Sequence, residues 1–349
     1  MSVTPNPKQT INLGDIARAL GVSVATVSNA LSGKGRVSAS LVPRIRDMAE
    51  AMGYVPSQAA RALRTGKSGV LGLVLPDIAS PLFPQIAQAI ERAASASGYG
   101  ILIADSRGDV GVQTEAINRL IERGVDGLII VPRRGTRIAS MDIPFAVIDS
   151  PSTPGNTVSA DHWQGGALIG THLALLGHRN ILLIGNNPAS NVQNDRIGGM
   201  RSTLSGCATV DVLWIEQHEA KHGAGALLGL AERFESGTTA FAAVSDLHAL
   251  RAMTELHRAN IRVPEQATIT GFDDLFWASA ITPAMTSVRM DMPRIADIAI
   301  ASLVCAIDGK SGDEVGENTR VPMSLITRQT SGPGPVSNTH HHKRGTGTC

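Results

Sequence analysis
A chain of 349 residues, 43% hydrophobic and 17% charged, has room for more than one domain and the balance of a folded soluble protein. Its net charge of +1 conceals an asymmetry: residues 1–68 hold nine Lys and Arg against Asp15, Asp47 and Glu50, a net +6, whereas the remainder holds 22 basic against 27 acidic residues, a net −5. No apolar run approaches the roughly 18 residues of a membrane span, the N-terminal MSVTPNPKQT has neither a basic nor an apolar leader region, and Cys207, Cys305 and Cys349 are too scattered for a disulfide framework or a cysteine zinc site. A cytoplasmic protein without a cofactor is expected, and its basic head on a mildly acidic body suits nucleic acid, because phosphate contacts supply most non-specific affinity.

The first predicted helix runs from Leu13 to Leu20, with Ile16, Ala17 and Leu20 at helical spacing and Gly21 able to end it in the left-handed conformation. Ser23 is a candidate N-cap for a second helix, Val24 to Leu31, with Val27 and Leu31 inward and Val24, Ala25, Ser28 and Asn29 outward. Two short helices on a tight turn predict a helix-turn-helix whose second helix enters the major groove. A third segment, Leu41 to Met52, places Ile45, Met48, Ala49 and Met52 on one face before Gly53 and closes a three-helix core.

The ordered runs Ile16-Ala-Arg-Ala-Leu-Gly-Val-Ser-Val-Ala-Thr-Val-Ser28, Gly33-Lys-Gly-Arg-Val-Ser38, Gly53-Tyr-Val-Pro56 and Ala59-Ala-Arg-Ala-Leu-Arg64 resemble the head and hinge of the lactose/galactose/purine repressor (LacI/GalR) family. The resemblance implies base reading by Val24, Ala25 and Asn29, phosphate contacts from Thr26, Ser28, Ser32 and Ser38, and Arg36 beside the groove. Asn29 replaces the Arg or His common in the family, and an Asn amide can pair bidentately with adenine. Residues 57–64 would form a short hinge helix that orders on DNA and presses Leu63 into the minor groove; an isolated helix of that length is marginal in water, and an apolar wedge unstacks a base step. Gly66-Lys67-Ser68 fails as a phosphate loop because Arg61 stands where the pattern needs Gly.

From Val70 onward apolar runs alternate with amphipathic stretches. Strands are predicted at 70–75, 100–104, 127–131, 145–148, 180–185, 210–215, 240–245 and 267–271, with helices at 84–97, 113–123, 167–176, 196–204, 224–234 and 249–260. This alternation predicts two similar α/β halves with parallel sheets. No G-x-G-x-x-G follows a strand, which disfavours a nicotinamide enzyme, and no G-x-S-x-G occurs.

Ligands in such folds lie beyond the carboxyl ends of strands, where two lobes form a cleft. Asp77, Phe83, Asp149, Asn194, Arg196, Ser245 and Asp273 fall at those ends; carboxylates and an Arg can clamp hydroxyls while an aromatic face covers a sugar ring. Pro76 to Phe83, Val125 to Ile130, Leu176 to Arg179 and Thr270 to Asp274 extend the resemblance through residue 330. It implies a periplasmic-binding-protein-like core, with Leu82, His218 and Met290 added to the effector-facing set. His218 stands where relatives often carry an aromatic ring. The implied organisation is a head at 1–56, a hinge and linker at 57–68, and a core at 69–330. The chain would cross between lobes three times, giving a first lobe at about 69–160 and 291–319 and a second at about 161–290 and 320–330. The tail at 331–349 is expected to be disordered.

His218-Glu-Ala-Lys-His222 fits the zinc motif H-E-x-x-H, but it lies between a predicted strand and a helix start, Gly223 and Gly225 oppose a helix there, and Leu228 stands where the extended motif wants a third His. No metal is expected, and the role of His340 to His342 is left open. The resemblance implies a homodimeric transcriptional regulator, a repressor on a near-palindromic operator, whose affinity is set allosterically by a small, sugar-like metabolite. Pairing of dimers into tetramers, and release against corepression, stay open. The alternatives are a cytosolic solute-binding protein, opposed by the basic head, and a sugar-processing enzyme, opposed by the lack of a catalytic constellation.

Overall fold
Local capping signals define the helices of the head. The computed structural model describes residues 11–33, 35–54, 66–132, 141–149, 151–153, 155–309 and 318–335. Asn12 starts α1 (Leu13–Leu20) with a reciprocal capping box, accepting from the Asp15 N–H while the Asp15 carboxylate accepts from its own N–H. Gly21, at φ 65°, turns the chain, and Ser23 caps α2 (Val24–Ser32) by accepting the Thr26 N–H at 3.0 Å. After α3 (Leu41–Ala51), the Gly53 and Tyr54 N–H groups close back on the Glu50 and Ala49 carbonyls, a Schellman ending. Ile16, Ala17, Val27, Ala30, Ile45 and Ala49 are buried together, with Leu31, Met48 and Met52 packed around them. The hinge residues 57–64, Leu63 among them, and His340 to His342 lie outside the described residues.

The chain divides into the units Met1–Ser68 and Gly69–Cys349. In the second unit, β1 (Val70–Leu75) is flanked by β2 (Gly100–Asp105) and β3 (Gly127–Ile130), and β3 pairs with β4 (Phe145–Val147), all parallel. Parallel strands are buried on both faces, which is why β1 reads as an unbroken apolar run. Leu71, Leu73 and Leu75 pack on α4 (Leu82–Ala96), while Val74 faces α5 (Val110–Glu122) on the other side.

A short parallel ribbon, β5 (Val158–Ala160) with a later strand at Thr319–Val321, carries the chain to the second lobe and α6 (His162–Leu175). Next come β6 (Asn180–Gly185), α7 (Asn191–Leu204), β7 (Thr209–Trp214), α8 (Ile215–His222), α9 (Leu230–Glu235), β8 (Ala240–Ala243), α10 (Asp246–Arg258), β9 (Thr268–Phe272) and β10 (Thr286–Arg289). α11 (Met292–Ile307) returns to pack with α4 and the first sheet, β11 (Thr319–Val321) forms the ribbon, and β12 (Ser324–Ile326) ends on the second sheet. That sheet has the order β12-β10-β9-β8-β6-β7, parallel except for β12, which joins β10 antiparallel. The chain thus passes between lobes three times. Among the described residues no helix is long and apolar enough to cross a membrane.

Two expectations need correction. Of the helix expected at 224–234 only α9 forms, because Gly223 (φ 97°), Gly225 (φ 74°) and Gly229 (φ 72°) hold 223–229 as a turn after α8. The segment 331–335, expected to be disordered, is tied to the second lobe: the Gly332 N–H donates to Thr268 Oγ1 (2.9 Å), its carbonyl accepts from His178 Nε2 (3.1 Å), and the Gly334 N–H donates to the Leu176 carbonyl (2.7 Å). A Ser-Gly-Pro-Gly-Pro composition reads as linker because its partners lie far away in the sequence.

α6 and α7 meet through glycines. A Cβ on Gly166 would be driven into the Arg196 carbonyl, one on Gly199 into the Trp163 carbonyl, and one on Gly170 into Thr203 Oγ1. Helix propensity alone would favour Gly199→Ala by roughly 1 kcal/mol, whereas overpacking costs about 1–3 kcal/mol. Gly199→Ala is therefore expected to lower the urea midpoint of the core; a raised midpoint would show that the helices are not this tightly apposed.

Candidate functional site
On the head, α2 presents Val24 (50% exposed), Ala25 and Asn29 to solvent, while Val27 and Ala30 are buried beneath. Thr26 pairs its hydroxyl with Ser23 (2.8 Å), Ser38 pairs with Ser40 (3.0 Å), and Ser32 donates to the Ser28 carbonyl (2.6 Å). Arg36 is exposed, and the side chain of Asn29 lies beside Gly35, whose φ of 84° bends the following loop past it. The face is thus apolar at its start, amide-bearing at Asn29 and hydroxyl-rimmed, with a cation nearby.

The core holds a cleft of about 740 Å³ between its lobes. Arg196, projecting from α7 and itself buried, organises its floor. Nη1 donates to Asp273 Oδ1 (2.9 Å) and the Val244 carbonyl (2.6 Å), Nε donates to His162 Nδ1 (3.3 Å), and the guanidinium lies 3.9 Å from the centroid of the Phe272 ring. A buried cation needs such complete pairing. Asp273 holds its position at φ 100°, and Asp274 follows at φ 47° with its carboxylate on Arg289 and Arg328, both at 2.6 Å. Two consecutive non-glycine residues at positive φ store strain where the loop meets the cleft.

Burial raises the Asp273 carboxyl to about 6 although Arg196 opposes the shift. Behind it, Asp246 is raised to about 7 by burial and then by the neighbouring Asp273, although Ser287 Oγ (2.6 Å) and the Leu275 N–H (2.7 Å) donate to it. Gly271 is required here, because a Cβ would strike the Asp246 carboxylate. His162 is held neutral by burial and then by Arg196, and burial followed by Arg251 lowers His248 to about 4.

Asp77, Leu82, Phe83, Asp149, Arg196, Ser245, Asp273 and Met290 all line the cleft. Asn194 and His218 do not. Asn194 lies two residues before Arg196, about 200° around α7, so it faces outward and donates to the Pro188 carbonyl (2.9 Å); Gln193 takes the cleft side. His218 is likewise displaced from Glu216, the cleft residue of α8, and its Nε2 bonds the Leu227 carbonyl (2.7 Å). Sequence reasoning missed His162, Asn186, Asn187, Gln193, Glu216 and His248. Asn186 and Asn187 directly follow β6, so the strand-end rule could have found them; His162 had no such signal, since it starts a helix at a lobe crossing.

The H-E-x-x-H segment is helical after all, lying on α8, with the His218 and His222 rings 4.4 Å apart. Its Glu219 accepts from Arg251 (2.7 Å) and the Gly225 N–H (3.0 Å), and no group of three or more metal-ligating side chains occurs among the described residues.

Residues 12–57 match the model for bacterial regulatory proteins of the lacI family, and residues 171–331 match a periplasmic binding protein-like domain. The HTH-type transcriptional regulator DegA of Bacillus subtilis (strain 168) is 28% identical over 335 residues, 91% of this chain and 97% of DegA. The chain thus carries a helix-turn-helix domain of the LacI family and a periplasmic-binding-protein-like domain. Among solved structures, the lac repressor dimer bound to operator and the anti-inducer ONPF superposes with a TM-score of 0.78 at 24% identity, covering 93% of this chain and all of that one. The complex of the transcriptional regulator CelR with cellobiose gives a TM-score of 0.64 at 24% identity, covering 92% of this chain and 100% of that one.

The sign of the Asp246 contribution is fixed by its raised value. Its unfolded carboxyl titrates near 3.9, so between about pH 4 and 7 the folded state binds more protons and stability falls as pH rises. Asp246→Asn is expected to flatten that fall in urea unfolding series from pH 5 to 8, leaving the smaller slope of Asp273. An unchanged slope would remove Asp246 as its source.

Proposed function
We propose that this chain is a homodimeric transcriptional repressor whose operator affinity is set by a sugar-class effector in the interlobe cleft. The exposed, capped α2 carries the first half of the proposal: its outward side chains match those expected to read bases, and their hydroxyl neighbours suit phosphate oxygens. Val24, Ala25 and Asn29 would read base edges; Thr26, Ser28, Ser32 and Ser38 would hold the backbone, with Arg36 beside the groove. Residues 57–64 would form the hinge, Leu63 wedging the central step. Two heads related by twofold symmetry suit a near-palindromic operator.

The cleft supports the second half. Carboxylates, amides and hydroxyls line it together with the Phe83 ring, the chemistry that grips a sugar's hydroxyls and covers its apolar face. The cellobiose complex of a structural neighbour points the same way. The protein acts as a regulator rather than an enzyme: its relative DegA is a transcriptional regulator, and Glu219, the would-be base of the zinc motif, is committed to Arg251.

Selection of duplexes from a random pool with full-length protein is expected to yield a twofold-symmetric site, and Asn29→Arg to change the preferred base at one position per half-site. Binding no tighter than to random competitor would sink the proposal. A cognate sugar is expected to shift operator affinity by roughly 5- to 150-fold, about 1–3 kcal/mol of coupling, in footprint titrations at fixed salt.

A further inference from the structure
Among the described residues that line the cleft, the charges are one-sided. Asp77, Asp149 and Glu216 stand on its walls and Asp273 on its floor; among the described residues Arg196 is the only Lys or Arg lining it. That guanidinium is already committed to Asp273, the Val244 carbonyl, His162 and the Phe272 face. Turning it toward an anion would strand the buried Asp273 carboxylate. His162 and His248 face the cavity as neutral imidazoles, because burial opposes their protonation.

Helix N-termini, the usual alternative grip on an anion, are largely occupied. Ser190 accepts the Gln193 N–H of α7, and Gln193 Oε1 in turn accepts the Asn186 and Asn187 N–H groups at 2.7 and 3.0 Å. Ser245 accepts the His248 N–H of α10. α4 opens Pro81-Leu-Phe-Pro84, so prolines remove two donors, and the Phe83 N–H bonds the Ser80 carbonyl. What remains among the described residues is an array of neutral amides and acceptor carboxylates. Hydroxyl groups satisfy such an array, whereas a phosphate of charge about −1.5 to −2 meets repulsion.

We infer that the effector is an uncharged polyol, a free sugar and not its phosphate ester or uronate. This rests on the sugar-effector proposal above and narrows it. Isothermal titration of the full-length protein with matched sets tests it: glucose, glucose 6-phosphate and glucuronate; ribose and ribose 5-phosphate; cellobiose and its 6-phosphate. Where a set binds, the neutral member is expected to bind at least 10-fold tighter than its anionic partners, and Glu216→Lys to narrow that ratio at least 3-fold in favour of the phosphate ester. A phosphate ester or uronate that binds as tightly as its neutral partner overturns the inference while leaving the sugar reading standing. A ratio that Glu216→Lys leaves unchanged overturns the electrostatic account of the discrimination. Failure of every set to bind overturns the sugar reading, and this inference with it.

Discussion
Keeping one guanidinium charged inside the protein is the constraint on which the rest of the cleft depends. Arg196 survives burial because each face of it is answered: a carboxylate and a carbonyl at its end, an imidazole nitrogen along its edge and an aromatic ring below. These partners come from the ends of β8 and β9 and from the start of α6, while α7 carries Arg196 itself, so the buried charge ties together four elements. Removing either charge would leave the other buried and unpaired, which costs about 3–5 kcal/mol in comparable sites, far more than an exposed pair is worth. The positive φ of Asp273 falls at the residue whose carboxylate answers this charge.

The glycine seam between α6 and α7 serves that placement. Gly166 brings α6 against the Arg196 carbonyl, and the missing Cβ of Gly199 leaves room for the Trp163 carbonyl, so the Arg196 backbone is held close to the helix that carries His162. A sequence reader sees Gly165, Gly166, Gly170, Gly198 and Gly199 as helix-weakening residues. Close approach offsets their low propensity, as tertiary packing often does. That is why α6 was expected to begin at Ala167 but begins at His162, capped by Asp161.

Much of the architecture was legible because buried parallel strands leave a simple trace: apolar runs at 70–75 and 180–185 coincide with β1 and β6. The short strands at and after the lobe crossings left none. β5, β11 and β12 span three residues each and make sense only through partners far away in the chain. The cleft divided along the same line. Strand ends pointed to Asp77, Asp149, Ser245 and Asp273, which line the cleft, whereas Asn194 and His218 lie early in helices whose phase the sequence did not set, and a shift of two residues turned each away. His162 was invisible because its importance comes from the lobe crossing and not from any motif.

That residue also bears on how a ligand could be felt beyond the cleft. His162 receives the Arg196 Nε–H on one ring nitrogen and hydrogen bonds the Asp149 backbone, so a polar relay runs from Asp273 in the second lobe to the end of β4 in the first. The lobes are otherwise joined by three passages of chain, short segments at which closure can change without unfolding either sheet. A ligand touching Asp77 and Phe83 on one side and Glu216 and Asp273 on the other gains most from one degree of closure, and it can bias the lobes only by that difference in affinity. With the relay already bridging the gap, the unliganded core is not free to open at no cost. Any ligand that closes the lobes therefore adds to contacts the protein already makes for itself, and its effect is bounded by that addition.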